Sequence, residues 1–243
     1  MMKVSKAIAA FAITGVLFVS CGPNANQIRR TQQLEEGVSN PTSIAELTDA
    51  IGKYQGRVED IINAEIRIGT WYKILGTRYL DNKMYDKALE TFRTAIEYYP
   101  MNQNLYYYVG VCAGYMAKSA LDYEGTGKHI DRDSYYALAE SAYLRAIEIQ
   151  PDFGRPLYGL SVLYVFELNK PDKAVPLLEK LLTVEKRNLD AMFILARAYY
   201  STGNSDGAIE MYDQILAQTK SDAHKTDAQA NKDRILKEGY GKQ

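Results

Sequence analysis

At 243 residues the chain can form one large domain or two small ones, and with 47% apolar residues it can bury a core. Its 29 basic and 30 acidic side chains leave a formal charge of -1, which offers no general attraction for nucleic acid or anionic lipid. Two cysteines and two histidines cannot build a disulfide scaffold or a four-thiolate zinc site and leave little for a histidine triad. No cofactor and no metal are therefore expected, and an enzyme is the less favoured class.

Lys3 and Lys6 open the chain, and Ala7 to Ser20 then runs without a charge up to Cys21 and the break Gly22-Pro23-Asn24. That run is too short to cross about 30 Å of hydrocarbon as a helix, but it suits a secretory signal. An ordinary signal peptide or a buried N-terminal helix with an incidental cysteine are the plainer readings. Leu17-Phe18-Val19-Ser20-Cys21 resembles the lipobox of bacterial lipoproteins, with Ser20 fitting and Phe18 standing in place of the usual leucine. The resemblance implies a signal peptide at 1–20, acylation of Cys21, and a lipid-anchored globular part at the cell envelope, facing the periplasm or the cell exterior. Residues 21–42 are polar and read as a flexible tether with an r.m.s. span of roughly 25 Å; a short helix over 27–36 would shorten it.

Ser43, Leu47 and Ala50 imitate the second helix of a repeat, and Val58 to Trp71 continue the periodicity into Tyr72; 43–68 is read as N-terminal capping and extension helices, or as part of an unusually long leading helix of the first unit. Tyr72, Leu75, Gly76, Tyr79, Ala88, Phe92, Ala95 and Pro100 then have the spacing of a helix-turn-helix repeat of about 34 residues. Gly76 and Ala88 allow two helices to approach, the larger residues give each helix one apolar face, and Pro100 ends the pair. The segment 69–102 resembles a tetratricopeptide (TPR) repeat.

Tyr106, Val109, Gly110 and Ala113, then Ala139, Tyr143, Ala146 and Pro151, repeat the signature over 103–153. Pro100 and Pro151 stand 51 residues apart, so this unit holds 17 more than the repeat's 34. The excess, near 117–133, is expected to lengthen the leading helix and form a glycine-rich loop over 123–130, either a functional feature or a tolerated excursion. The third unit, 154–188, is degenerate: Leu157, Leu160, Ser161 and Tyr164 fit, but Ala174 falls one residue late, and Pro176 predicts a late start or a kink in its second helix. The fourth, 189–222, carries Met192, Leu195, Ala196, Tyr199, Ala208, Tyr212 and Ile215, with Lys220 in the place of the proline. A polar helix over 223–238, with Ile235 and Leu236 facing inward, caps the stack. The fold expected is an all-α, right-handed TPR solenoid of about four repeats with capping helices at both ends.

Chemistry-bearing motifs are few. Glu124-Gly-Thr-Gly-Lys128 lacks the first glycine and the final Ser or Thr of a phosphate loop, having Asp122 and His129 there. His129, Asp131 and Asp133 lack the spacing of a calcium loop, and helix capping is the simpler reading. Cys112 sits among Val109, Val111 and Ala113 as a small buried thiol. His224 has no evident partner.

The TPR resemblance implies a concave groove lined by the leading helices. Carried onto this chain, its positions are Thr70, Lys73, Thr77 and Leu80; Asn104, Tyr107, Val111 and Tyr115; Arg155, Tyr158, Val162 and Phe166; and Asp190, Phe193, Arg197 and Tyr200. This stripe of aromatics with Lys73, Arg155 and Arg197 suits an extended peptide with acidic groups or a free carboxylate, although some of its tyrosines could equally serve the core. Against the carboxylate-clamp TPR domains, Lys73 and Arg155 match, whereas Thr77, Tyr108 and Gly159 stand where that group has Asn, Asn and a basic residue. The expected function is a non-enzymatic, membrane-anchored scaffold that binds a protein or peptide partner, in envelope assembly or transport. The alternative is a lipoprotein that holds a small apolar ligand among Tyr107, Tyr115, Tyr158 and Phe166 and partners the substrate-binding protein of a transporter.

Overall fold

The computed structural model describes residues 43–123 and 130–240, where nine α-helices follow one another with no strand among the described residues. The expected signal peptide, Cys21 and the expected tether, as well as residues 124–129 with the phosphate-loop-like segment and His129, lie outside the described residues. Two compact units are distinguished, residues 1–60 and 61–243.

Helix α1 (Ile44–Asp81) begins with a capping box. The Ser43 hydroxyl accepts from the Glu46 amide at 3.2 Å, and the Glu46 carboxylate accepts from the Ser43 amide at 3.1 Å. The 43–68 stretch thus runs as one helix rather than as separate capping helices. It contains no proline to break it.

Within the second unit the helices come in pairs. The end of α1 pairs with α2 (Tyr85–Tyr98), α3 (Gln103–Tyr123) with α4 (Ile130–Ile149), α5 (Gly154–Val162) with α6 (Pro171–Val184), and α7 (Leu189–Ser201) with α8 (Ser205–Gln218). Helix α9 (Asp222–Tyr240) follows. Helices α2 and α4 stop ahead of Pro100 and Pro151, as the fixed proline ring demands. The insertion lengthens both α3 and α4.

Close approach inside a pair depends on missing side chains. A Cβ on Gly76 would lie 2.7 Å from the Phe92 ring, and one on Gly110 would lie 2.6 Å from the Tyr143 ring. Ala88, Ala139 and Ala208 are fully buried at the matching place in the second helices. Three apolar clusters result, around Phe92 and Leu105, around Leu157, Leu160, Leu178 and Leu181, and around Met192, Tyr212 and Ile215. Cys112 is buried in the first, where loss of water pushes its thiol up to about 12, so it stays protonated and inert at neutral pH.

The late Ala174 has a structural cause. Leu163–Glu167 forms one π-helical turn, which takes up a single extra residue. Positive φ angles locate the shift: Lys83 (59°) and Gly203 (85°) lie seven positions after Gly76 and Ala196, but Asn169 (50°) lies eight after Ser161. The surplus residue is therefore absorbed before the turn, and the fourth unit starts back in phase. The π-turn is clipped to the insertion-lengthened helices. The Tyr164 phenol donates to Glu140 at 2.9 Å, and the Tyr136 phenol donates to Glu167 at 2.6 Å.

Two expectations are corrected. Helix α6 starts at Pro171, five residues before Pro176, so there is no late start; Pro171 stands in the first turn, where a missing amide is harmless. Leu75 is 42% exposed, whereas Val109, Leu160 and Leu195 at the same repeat position are buried. Each of those three has a complete helix pair before it in the chain; no such pair precedes Leu75 among the described residues. At the other end α9 buries Ala228 and Ile235 in the last cluster, with Leu236 half-buried.

The N-termini of α7 and α8 are capped by Asn188 and Asn204, whose side-chain oxygens each accept a backbone amide at 3.0 Å. Asn188→Ala and Asn204→Ala should each lose about 1 kcal/mol in urea unfolding. A double variant should lose close to the sum, because the caps share no partner.

Candidate peptide groove

Three hollows follow one another along the leading helices. The first, about 300 Å³, lies between α3, α4 and α5 and includes Tyr107, Val111, Tyr115, Arg155, Tyr158 and Val162. The second, about 530 Å³, shares Tyr158 and Val162 with it and adds Phe166, Asp190, Phe193 and His224. The third, about 490 Å³, shares Phe166, Phe193 and Asn231 with the second and adds Arg197, Tyr200 and Arg234. The shared residues make these hollows one continuous trough.

Of the sequence-predicted groove residues, those from Tyr107 to Tyr200 meet in this trough. Lys73, Thr77 and Asn104 line none of the three hollows. The Thr77 hydroxyl donates back to the Lys73 carbonyl at 2.9 Å, Asn104 sits at the start of α3, and Leu80 packs against the first cluster. The clamp-like arrangement fails for steric reasons. A Cβ on Gly159 would lie 2.9 Å from the Tyr143 ring, leaving no room for a basic side chain, and Tyr108 is stacked on Phe92 at 4.9 Å.

Aromatic packing fixes the walls. Tyr107 meets Tyr143 at 6.1 Å and the edge of Phe153 at 5.9 Å, while Tyr115 stacks on Tyr85 at 4.4 Å. Burial raises the Tyr107 phenol, with Arg155 partly opposing that rise, and burial followed by Asp190 raises Tyr158. Both remain neutral and can donate or accept. The Arg197 guanidinium lies 4.8 Å over the Phe166 ring.

The charge pattern alternates. Lys118 and Glu167 neutralise each other at 3.2 Å, and Glu167 is held further by Tyr136. Arg155 makes no ion pair among the described residues. Asp190 and Asp227 follow in the middle hollow, and Arg197 and Arg234 in the last, where Tyr200 donates to Glu238. The sequence reading of a basic stripe included Asp190 among its groove positions but not Asp227, which lies on α9. It also missed Lys118, Tyr136 and Glu167, which the insertion and the π-turn bring together, and His224, Asp227, Asn231 and Arg234, because α9 was read as a cap alone. Their roughly fourfold spacing along α9 was the available signal. Asp133 contacts Arg132 at 3.1 Å, and no group of three potential metal ligands occurs among the described residues.

The tetratricopeptide repeat family matches residues 165–231, across the π-turn and the last pair. The chain has the fold of a tetratricopeptide-repeat solenoid. It is 26% identical over 214 residues to a TPR repeat-containing protein of Borreliella burgdorferi, covering 86% of this chain and 90% of that protein. Among solved structures, a thermophilic TPR protein of Thermus thermophilus superposes with a TM-score of 0.53 at 20% identity, covering 78% of this chain and 94% of its own. YrrB, described as a TPR protein with an unusual peptide-binding site, gives 0.52 at 16% identity over 84% and 88% of the two chains. These likenesses establish the TPR fold, an architecture that suggests a protein-interaction scaffold.

Proposed function

We propose that this TPR protein is a non-enzymatic scaffold that holds an extended segment of a protein partner along the trough. The proposal includes anchoring to a membrane outside the cytoplasm through an acylated Cys21, with a role in envelope assembly or transport. The continuity of the three hollows carries the reading, since an elongated ligand can occupy them together whereas a compact one fills only one. Arg155, without an ion pair among the described residues and set among half-buried aromatics, suits a carboxylate on the partner. The acids and arginines beyond it suit a partner of alternating charge.

The test is co-purification of the parent and of an Arg155→Glu/Tyr158→Ala variant, with proteins and small molecules in both eluates identified by mass spectrometry. Loss of an aromatic anchor at an interface centre removes about 2 kcal/mol, roughly thirtyfold in affinity. A protein partner kept by the parent and depleted on that scale from the folded variant is expected. Identical companions in both eluates would refute the groove assignment. A second reading rests on the first hollow: its 300 Å³ between Tyr107, Tyr143 and Tyr158 would accept a small apolar ligand. Loss of a small molecule alone from the variant would favour it.

A further inference from the structure

The first part of α1 carries a seam of exposed apolar residues. Ile44, Leu47, Ile51 and Val58 are all exposed, Ile44 by 85%. With Tyr54 they occupy alternating three- and four-residue steps, and in the sequence the pattern continues to Ile61. A helix packed into a solenoid presents a broader stripe, whereas a strict three-four alternation is the narrow seam of a coiled coil.

Three observations identify what covers this seam. In heptad terms Ile44, Ile51 and Val58 fall at the first core position, and every one is β-branched. Leu47, Tyr54 and Ile61 fall at the other core position. Within 44–58, β-branched residues at the first core position followed by Leu47 at the second favour parallel two-stranded packing. Next, the charges are sorted: Glu46, Asp49, Lys53, Glu59 and Asp60 lie on the side away from the seam, where Asp49 and Lys53 pair at 2.7 Å. The flanking positions hold Thr48, Ala50, Gln55 and Ile62, so two parallel copies in register meet no like charges there. Arg57, the charged exception, lies over the Tyr54 ring of its own chain at 5.5 Å and would stand opposite Ile62 of a second copy. Finally, Glu65 stands at the next first core position and marks where a dry seam must stop.

We propose that residues 44–58 of two copies of this chain pair as a short parallel coiled coil, making the protein a dimer through a surface separate from the trough. A seam this short gives a modest association, so the dimer should dissociate on dilution. Two copies held side by side would offer two troughs to one partner, and binding would gain from effective concentration.

The test uses the full chain in a mild detergent, followed by analytical ultracentrifugation over a range of concentrations. The parent is expected to sediment as two copies at high concentration. An Ile51→Glu/Val58→Glu variant should sediment at half that mass with an unchanged melting curve for the solenoid. A second measurement does not depend on weakening the helix. Ile51→Cys should form an intermolecular disulfide under mild oxidation well above the parent's background, and Gly56→Cys, on the outer side, should not. A single-copy parent at all concentrations, an unchanged mass in the double variant, or equal cross-linking at positions 51 and 56 would each overturn the proposal. None of these outcomes depends on trough binding.

Discussion

Tyr143→Ala should lower the stability of the solenoid by about 3–5 kcal/mol, read as a shift of the urea midpoint. The ring is 7% exposed and sits where two glycines make room for it. A Cβ on Gly110 would come within 2.6 Å of it and one on Gly159 within 2.9 Å. The same ring also touches Tyr107, so its removal leaves a cavity behind the first hollow as well as a gap within the second pair. Gly110→Val makes the opposite error. It drives a branched side chain into the ring and should lose about 1–3 kcal/mol by overpacking. Combined, the two changes should be clearly less harmful than the sum, because valine would fill part of the space that the ring vacates. A strictly additive pair would mean that Gly110 and Tyr143 do not meet and would contradict the helix pairing itself.

Stability should also fall steeply above pH 10. Burial, and for Tyr136 and Tyr164 a hydrogen bond donated to a carboxylate, raise the phenols of Tyr136, Tyr143 and Tyr164 well above their usual value near 10. Below about pH 10 these phenols are protonated both folded and unfolded, and their contribution is fully present. Above it the unfolded chain releases protons that the folded chain retains, so unfolding gains. Each phenol then removes up to about 1.4 kcal/mol per pH unit; because the unfolded phenols are only half ionised at pH 10, the three together remove roughly 3 kcal/mol between pH 10 and 11. Tyr199, pushed up to about 12 by burial and by Glu179, adds a smaller share because it is more exposed. Urea unfolding at pH 8.5 and pH 11 measures the drop, and Tyr143→Phe should reduce it by about one phenol's share. A flat profile would mean that these rings ionise freely, against the burial described above.

Much of the fold was legible because a repeat writes its packing rules locally. Gly76 with Phe92 and Gly110 with Tyr143 are small-large pairs at the same separation once the insertion is discounted, and Pro100 and Pro151 mark the ends of pairs. Ala174 betrayed an irregularity without revealing its nature. A one-residue surplus can be taken up by a longer loop, a bulge or a π-turn, and the choice depends on what the displaced side chains find. Here Tyr164 and Glu167 find Glu140 and Tyr136 on a helix lengthened by the insertion.

The trough was legible in part for the same reason. Positions along one leading helix share a face, so carrying the groove positions of the TPR resemblance onto these helices pointed to Tyr107, Arg155, Tyr158, Phe193 and Arg197. Lys118 and Glu167 lie on different helices, and His224 meets Phe193 edge-on from a helix read as a cap. No periodicity links such residues.

By itself, the sequence determined the repeat period, the all-helical class, which residues must be small, and most of the trough's aromatic lining. These follow from side-chain volume and helical spacing, which act within a few turns of chain. The tertiary structure alone decided the π-turn, the neutralised Lys118–Glu167 pair, the contribution of α9 to the trough wall and the exposure of Leu75. Each depends on what stands opposite a residue in space, and that is set by the stacking of helix pairs rather than by neighbours in sequence.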